Sequence, residues 1–393
     1  MKNKRSGLIV FTIDNPPPFA GGGAGKLAMK LARALRQKGC QIKIITPNPF
    51  GRQIFEKNIG GVEVVFLPCY IRNPECVYSV IYNIRLVLWL LKQRGELIAI
   101  HLRGMRGIFS LQLFSKWSHV PLFATALSED NWRLLNPLPP LNPYRWLVHR
   151  MLKHVDVFVA LSRRLAEVMS REGISTDKIV HIPNGAEIPD LPVDRPEVRV
   201  RLGLPEKKLI VLYAGRLHPQ KDVFFLLRCW KDFIRQRPAS QLVLIGEGPQ
   251  KNEIQRYLID HGLVENVLCP GYVDHVANYM AAADVFVLPS RREGCSNALL
   301  EAMAHELPCI ATDSPGNDEV IDNETTGFLV EFDNLVQLQF VLIRLCDDPA
   351  IRQRVGQAAR EHVRESFSLE QNAQRHIDLY LANTLQSYLH RRS

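Results

Sequence analysis

Two glutamates eight residues apart, Glu293 and Glu301, stand in the run RREGCSNALLEAMA at 291–304. The run follows an apolar stretch, 284–288, closed by Pro289 and Ser290, so Glu293 falls in a loop and Glu301 lies one to two turns into the next helix. The first turn of a helix leaves backbone amides unpaired and carries the positive end of the helix dipole. Amides near Ser296, Asn297 and Ala298, with a carboxylate on each side, suit a sugar joined to a nucleoside diphosphate. One carboxylate would accept hydrogen bonds from sugar hydroxyls, the amides would hold phosphate, and the other carboxylate would bind ribose. A capped helix carrying two solvated glutamates is the plainer reading of the same letters.

Upstream, LYAGRLHPQK at 212–221 places Arg216 and Lys221 on the loop that follows another apolar run. A guanidinium can fork onto a phosphate and an ammonium adds a point charge, so the pair could neutralise a diphosphate; either cation alone reads as a solvated loop residue. Near the start, DNPPPFAGGGAGK at 14–26 joins an apolar run to a helical one. Glycines such as Gly22 and Gly23 let a backbone approach a ligand and present amides at a helix start, or simply make a tight connection. The loop is no Walker A motif, because Ala20 stands where glycine is needed and Leu27 where serine or threonine would hold Mg²⁺.

The elements that must carry these loops recur along the chain. Short apolar, β-branched runs at 8–13, 41–46, 62–67, 97–101, 121–126, 156–161 and 178–182 alternate with helical segments. The rhythm restarts at 209–213, 241–245, 266–269, 284–288, 308–312 and 328–331. Runs apolar on both faces are what a parallel sheet between helix layers requires, so the fold class is α/β: two doubly wound, Rossmann-like parallel-sheet domains in tandem. The expected limits are 1–188, with a C-terminal helix at 375–393 packing back on it, and 189–374. Pro189, Pro192 and Pro196 mark the linker at 186–200, and a central cleft between the domains is the expected ligand site.

The 393 residues are 46% hydrophobic and 23% charged, which excludes a mini-protein or a disordered tail. Lys and Arg outnumber Asp and Glu 26 to 13 through residue 190, but number 23 against 27 beyond it, so the basic excess lies in the first half. That asymmetry predicts an anionic partner there: phosphate, nucleic acid or a membrane face. Eight cysteines without a Cys-x-x-Cys pair suggest a reduced, cytoplasmic protein. Segment 77–91, VYSVIYNIRLVLWLL, is too short to span a bilayer and carries Asn83 and Arg85. It reads as a core-facing helix or as an interfacial helix flanked by Lys92 and Arg94. The stretch 132–150 adds Trp, Tyr and Arg among prolines, as an acceptor loop or a membrane belt.

Together, EGCSNALLEAMA, AGRLHPQKD, GEGP at 246–249, GYVDH at 271–275, ADVFVLPS at 283–290 and IPNG at 182–185 resemble the retaining nucleotide-sugar glycosyltransferases of family 4, over nearly the whole chain. The resemblance implies the GT-B fold, with the first domain binding acceptor and the second binding donor. It assigns the donor diphosphate to Arg216, Lys221, Gly22, Gly23 and the turn at Asn297, Ala298 and Leu299. Glu293 would contact the donor sugar, Glu301 the ribose, and Gly246, Tyr272 and Val273 the ribose and base. Family members commonly carry His-x-His after the fourth strand. Here His101 matches the first, and Arg103 replaces the second, which faces the reacting sugar in relatives. Arg103 cannot be a base near neutral pH but could stabilise leaving phosphate or orient an acceptor; His101 is either catalytic or a satisfied core histidine.

No Asp-x-Asp occurs in the chain, so no metal and no cofactor are expected beyond the nucleotide sugar itself as co-substrate. The expected partners are that donor and a saccharide or lipid-linked acceptor, in bacterial polysaccharide, lipopolysaccharide or glycolipid synthesis. Peripheral association with an anionic membrane through the basic half is also expected. Nucleic acid is not, since aromatics are not interleaved with the cations as a stacking surface requires. The alternatives are a GT-B sugar-nucleotide epimerase and a non-catalytic basic protein that binds membrane surfaces.

Overall fold

The computed structural model describes residues 7–13, 23–48, 53–69, 75–104, 107–126, 152, 154–191 and 193–390. The chain divides into two compact units, Met1–Pro183 with Leu369–Ser393, and Asn184–Ser368.

The first unit is built on an eight-stranded sheet of β1 (Leu8–Ile13), β2 (Gln41–Asn48), β3 (Phe55–Ile59), β4 (Val62–Pro68), β5 (Leu97–Arg103), β6 (Leu122–Ala126), β7 (Val157–Ala160) and β8 (Ile179–His181). Their order is β3-β4-β2-β1-β5-β6-β7-β8. Six of the seven pairings are parallel; β3 alone runs antiparallel, against β4. Every residue of β1 is buried, as a strand covered on both faces demands. β3 is the one strand not expected from the sequence: FEKNI is polar and exposed, as an edge strand can be. Gly60 and Gly61, both at positive φ, turn it back onto β4.

Among the described helices of this unit are α1 (Gly23–Gln37), α2 (Glu75–Gln93), α3 (Ile108–Ser118) and α4 (Arg163–Arg171). The C-terminal helix, Leu369–His390, completes its core: Leu369, Ala373, Ile377 and Tyr380 pack with Ile9, Phe11, Ala28 and Phe123.

The second unit holds a six-stranded parallel sheet: β9 (Leu209–Ala214), β10 (Ser240–Ile245), β11 (Val267–Gly271), β12 (Val285–Leu288), β13 (Cys309–Thr312) and β14 (Phe328–Val330), in the order β11-β10-β9-β12-β13-β14. Its helices are α5 (Arg195–Arg201), α6 (Val223–Gln236), α7 (Lys251–Asp260), α8 (Val276–Ala282), α9 (Asn297–Ala304), α10 (Leu335–Asp347) and α11 (Pro349–Ser366). From β9 the chain winds outward through β10 and β11, then returns to β12 beside β9 and winds the other way. The loops after β9 and β12 therefore leave adjacent strands at the switch point, where such sheets bind ligands.

The crossings between units fall at 183/184 and 368/369, a few residues before the expected limits. Asn184 already belongs to the second unit, its Nδ2 donating to Cys295 O at 2.9 Å, and Ala186 N donates to Phe367 O at 2.9 Å. The proline-marked linker is also partly ordered into that unit. Pro196 does not break a helix but opens α5, in the first turn where a missing N–H costs nothing, under an Asp194 side-chain cap. Arg199 from α5 is buried and donates to Ala282 O, Glu206 O and Asp284 Oδ2.

Candidate active site

Strand order brings together what the sequence keeps apart. Lys221 ends a 3₁₀ turn, Pro219–Lys221, on the loop after β9, and Glu293 lies on the loop after β12. Lys221 Nζ donates to Glu293 Oε1, with both side chains largely buried. Three further bonds clamp these loops to each other. Arg291 N donates to Gln220 O at 2.9 Å, Arg291 Nε to Asp222 Oδ2 at 2.9 Å, and Gln220 Nε2 to Arg292 O at 3.3 Å. The Arg291 guanidinium also lies 4.6 Å from the Phe332 ring centroid. Asp222 is buried and sits at φ 42°, a strained conformation for a residue with a Cβ. Arg291 and Asp222 were not among the expected site residues; Asp222 follows Lys221 and Arg291 lies two before Glu293, which was the available signal.

The floor of the site is glycine because backbone needs the space. Gly215 N donates to Ile245 O, Gly246 N to Gly271 O and Leu217 N to Glu247 O, stitching the ends of β9, β10 and β11 together. A Cβ on Gly246 would lie 1.8 Å from Gly215 O, and its φ of +146° suits glycine alone. Gly316 has the same role under the glutamate loop, where a Cβ would lie 2.7 Å from Glu293 O. Arg216 is exposed at the tip of the first loop, and its carbonyl accepts from the Tyr213 hydroxyl at 2.9 Å. Burial, reinforced by the Glu293 carboxylate, raises the Tyr213 phenol above its ordinary value, so it remains a protonated donor.

The Glu293 loop runs directly into α9. Asn184 holds Cys295 O from below, and burial pushes the Cys295 thiol up to about 12, so this cysteine is an inert packing group. Ser296 caps α9, its Oγ accepting from Leu299 N at 3.4 Å. The Leu299 amide, one of the expected phosphate donors, thus meets this cap, and Asn297 and Ala298 precede it in the first turn. Asn297 Oδ1 is buried with no hydrogen-bond partner. Glu301 lies further along α9, half-buried. Gly246 is at the end of β10, while Tyr272 is exposed and Val273 half-buried just beyond β11.

In the first unit, His101 and Arg103 lie on β5, beside β1 at that sheet's own switch point. His101 is fully buried: Nδ1 meets the Tyr380 hydroxyl at 2.5 Å and Nε2 meets Thr125 Oγ1 at 2.6 Å. Burial, with Arg103 and His376 nearby, holds its pKa well below the ordinary value. Both ring nitrogens are engaged, the arrangement of the core histidine that was one of the two readings of the sequence. Arg103 is also buried, 5.9 Å from the Phe11 ring centroid, and its Nε has no partner. Burial lowers its pKa to about 10, and no carboxylate pairs with it among the described residues. Gly23 is the first residue of α1 and is exposed; Gly22 and the stretch 132–150 lie outside the described residues.

A parallel α/β sheet with a cation, a carboxylate and a capped helix start at its switch point has a ligand site where doubly wound folds place one. The chain belongs to glycosyltransferase family 4: the model described as "Glycosyltransferase Family 4" matches residues 21–188, and that described as "Glycosyl transferases group 1" matches 194–362. It is 26% identical over 328 residues, 82% of this chain and 84% of the relative, to the UDP-Gal:α-D-GlcNAc-diphosphoundecaprenol α-1,3-galactosyltransferase of Escherichia coli. To the N-acetyl-α-D-glucosaminyl L-malate synthase of Bacillus anthracis it is 25% identical, over 91% of this chain and 93% of that one. The fold is GT-B. Sucrose-phosphate synthase from Thermosynechococcus elongatus superposes with a TM-score of 0.79 at 24% identity, covering 96% of this chain and 98% of that one. Anabaena HepE, solved in complex with UDP and glucose, superposes with a TM-score of 0.76 at 17% identity, covering 96% and 99%.

Proposed function

We propose that this glycosyltransferase moves a sugar from a nucleoside diphosphate sugar to a saccharide or lipid-linked acceptor, with retention of configuration and without a metal ion. The observation that carries the donor half is the Lys221–Glu293 pair at the switch point, with α9 beginning immediately behind it. As the glycosidic bond to the diphosphate breaks, negative charge builds on the leaving group and positive charge on the anomeric carbon. Lys221, Arg216 and the Asn297 and Ala298 amides are fixed donors for the first. Glu293 accepts sugar hydroxyls, and the unpartnered Asn297 Oδ1 is an acceptor waiting for a ligand hydroxyl. Donors already in place for charge that appears only in the transition state lower the barrier without uniform tightening of substrate.

Glu301 is read as the ribose ligand, and Gly246, Tyr272 and Val273 as the edge of the nucleoside pocket. Gly22 and Gly23 are read as further diphosphate ligands, and the first unit as the one that takes the acceptor. Arg103, a buried cation without a carboxylate partner among the described residues, is read as the group that meets an anionic part of the substrates. Metal independence is supported by a chain without Asp-x-Asp, since these cations and amides can neutralise the diphosphate themselves. Retention rests on family membership, with substitution on one face of the sugar as its course. The diphosphoundecaprenol acceptor of one relative and the lipopolysaccharide core pathway of another support polysaccharide, lipopolysaccharide or glycolipid synthesis.

Thermal stabilisation by a panel of UDP-, GDP- and ADP-sugars, followed by transfer assays with the donor so selected, tests the reading. The expected result is stabilisation by one nucleotide class, transfer unaffected by EDTA, and a product of unchanged anomeric configuration by NMR. Stabilisation by none, a requirement for added Mg²⁺, or inversion would refute the corresponding part.

A further inference from the structure

The described helices of the first unit leave one broad apolar face uncovered. On α2, Val80, Ile84, Leu88 and Leu91 recur at helical spacing and are 56%, 55%, 54% and 40% exposed. The opposite side of the same helix, with Tyr82, Leu86 and Leu90, is buried. α3 lies alongside: Ser110 Oγ donates to Asn83 Oδ1 at 2.5 Å near one end, and Arg94 stands 4.2 Å from the Trp117 ring centroid near the other. Leu113 and Trp117 on α3, 67% and 54% exposed, extend the stripe. A core-facing helix does not look like this, since α2 is apolar on two sides and only one is packed.

The charges along the stripe itself are cationic, with Glu75 at the start of α2 and Glu96 beyond its end. Between Glu75 and Glu96, and again between Glu96 and Glu129, the sequence contains no Asp or Glu. Lys92, Arg94 and Lys116 are exposed at the margin of the apolar face. An apolar stripe with a tryptophan and a cationic margin matches the boundary of an anionic bilayer, where side chains enter the acyl region and ammonium and guanidinium groups stay among the headgroups. No described helix is long and apolar enough to cross a membrane, so the fit is to the surface.

We infer that the α2–α3 face docks on an anionic lipid surface, so that the transferase works at a membrane regardless of which donor it uses. The test is flotation of the full chain with vesicles of phosphatidylcholine alone and of equal parts phosphatidylcholine and phosphatidylglycerol. Wild type should float with the anionic vesicles and do so on the order of tenfold less with neutral ones or in high salt. Leu88→Ser with Leu113→Ser should weaken partition on the order of tenfold at low salt. Lys92→Glu with Lys116→Glu should remove the preference for anionic lipid. Because these side chains are exposed, thermal midpoints and donor-dependent stabilisation should be unchanged; the second pair gives an independent reading if the first misfolds.

Absence of flotation, or flotation unaffected by both pairs, overturns the inference while leaving the transfer reaction untouched. A concentration-dependent dimer in solution that is lost in the leucine pair would assign the face to a second copy and also overturn it.

Discussion

Lys221 and Glu293 are separated by 72 residues and joined by an ion pair that is mostly withdrawn from water, each the other's charged partner on the loops after β9 and β12. In the proposed reaction, a diphosphate and its sugar replace these bonds. Lys221→Ala should lower kcat/KM for the donor on the order of 10²–10³-fold. It should also cost about 1–3 kcal/mol of stability, because the Glu293 carboxylate is left partly buried and alone. Steady-state kinetics beside a urea melt checks both; unchanged kinetics with lowered stability would reduce the pair to a structural contact.

Gly246 tests the floor of the site. Gly246→Ala places a Cβ 1.8 Å from Gly215 O at φ +146°, so the expected loss is several times that of Gly262→Ala, where φ is +65° and nothing lies within 4 Å. The latter should cost about 1 kcal/mol. Equal melts for the two variants would mean that the β9 and β10 ends are not in contact as described.

Arg103 separates stability from function. Its guanidinium is buried with no counter-charge among the described residues, so Arg103→Met should raise stability by about 1–2 kcal/mol. The same change should depress transfer to the natural acceptor. A variant that is both less stable and fully active would remove Arg103 from the substrate's path.

The buried histidines set an acid limit. His376 Nδ1 donates to Asn372 O at 2.8 Å while Nε2 has no partner, and burial beside Arg103 lowers its pKa from 6.5 to about 3. His101, against Thr125 and Tyr380, is lowered as well. Below pH 6.5 the unfolded chain binds protons that the fold refuses, so this contribution is complete above 6.5 and is lost as pH falls toward 3. Each histidine contributes a slope of up to about 1.4 kcal/mol per pH unit. Stability of His376→Gln should therefore fall less steeply than wild type between pH 6.5 and 5; parallel curves would contradict a neutral, buried His376.

Much of this was legible in the letters, for a physical reason. Strands buried on both faces are apolar throughout, so β1 or β12 announces itself, and the turn of period that follows marks each helix. β3 was invisible because an edge strand needs no such pattern: Phe55–Ile59 reads as loop until Gly60 and Gly61 fold it onto β4. Pro196 misled because the same ring that breaks a helix interior suits a helix start. The types of the site residues could be read, but not their pairing. Lys221 meets Glu293, and His101 meets Tyr380 at a separation of 279 residues, only because strand order and the C-terminal helix bring them together.

The return of Leu369–His390 to the first unit has a temporal consequence. As the ribosome emits the chain, the unit that starts first must finish last. Its helix with Ala373, Ile377 and Tyr380 emerges only after all of Asn184–Ser368, a delay of roughly 10–40 s at ordinary rates of synthesis. Throughout that interval His101 lacks Tyr380, and the apolar face of Phe11 and Phe123 lacks its cover, while the second unit already has every residue it needs. A nascent chain stalled before residue 369 should thus present one finished unit and one that holdase chaperones can still recognise.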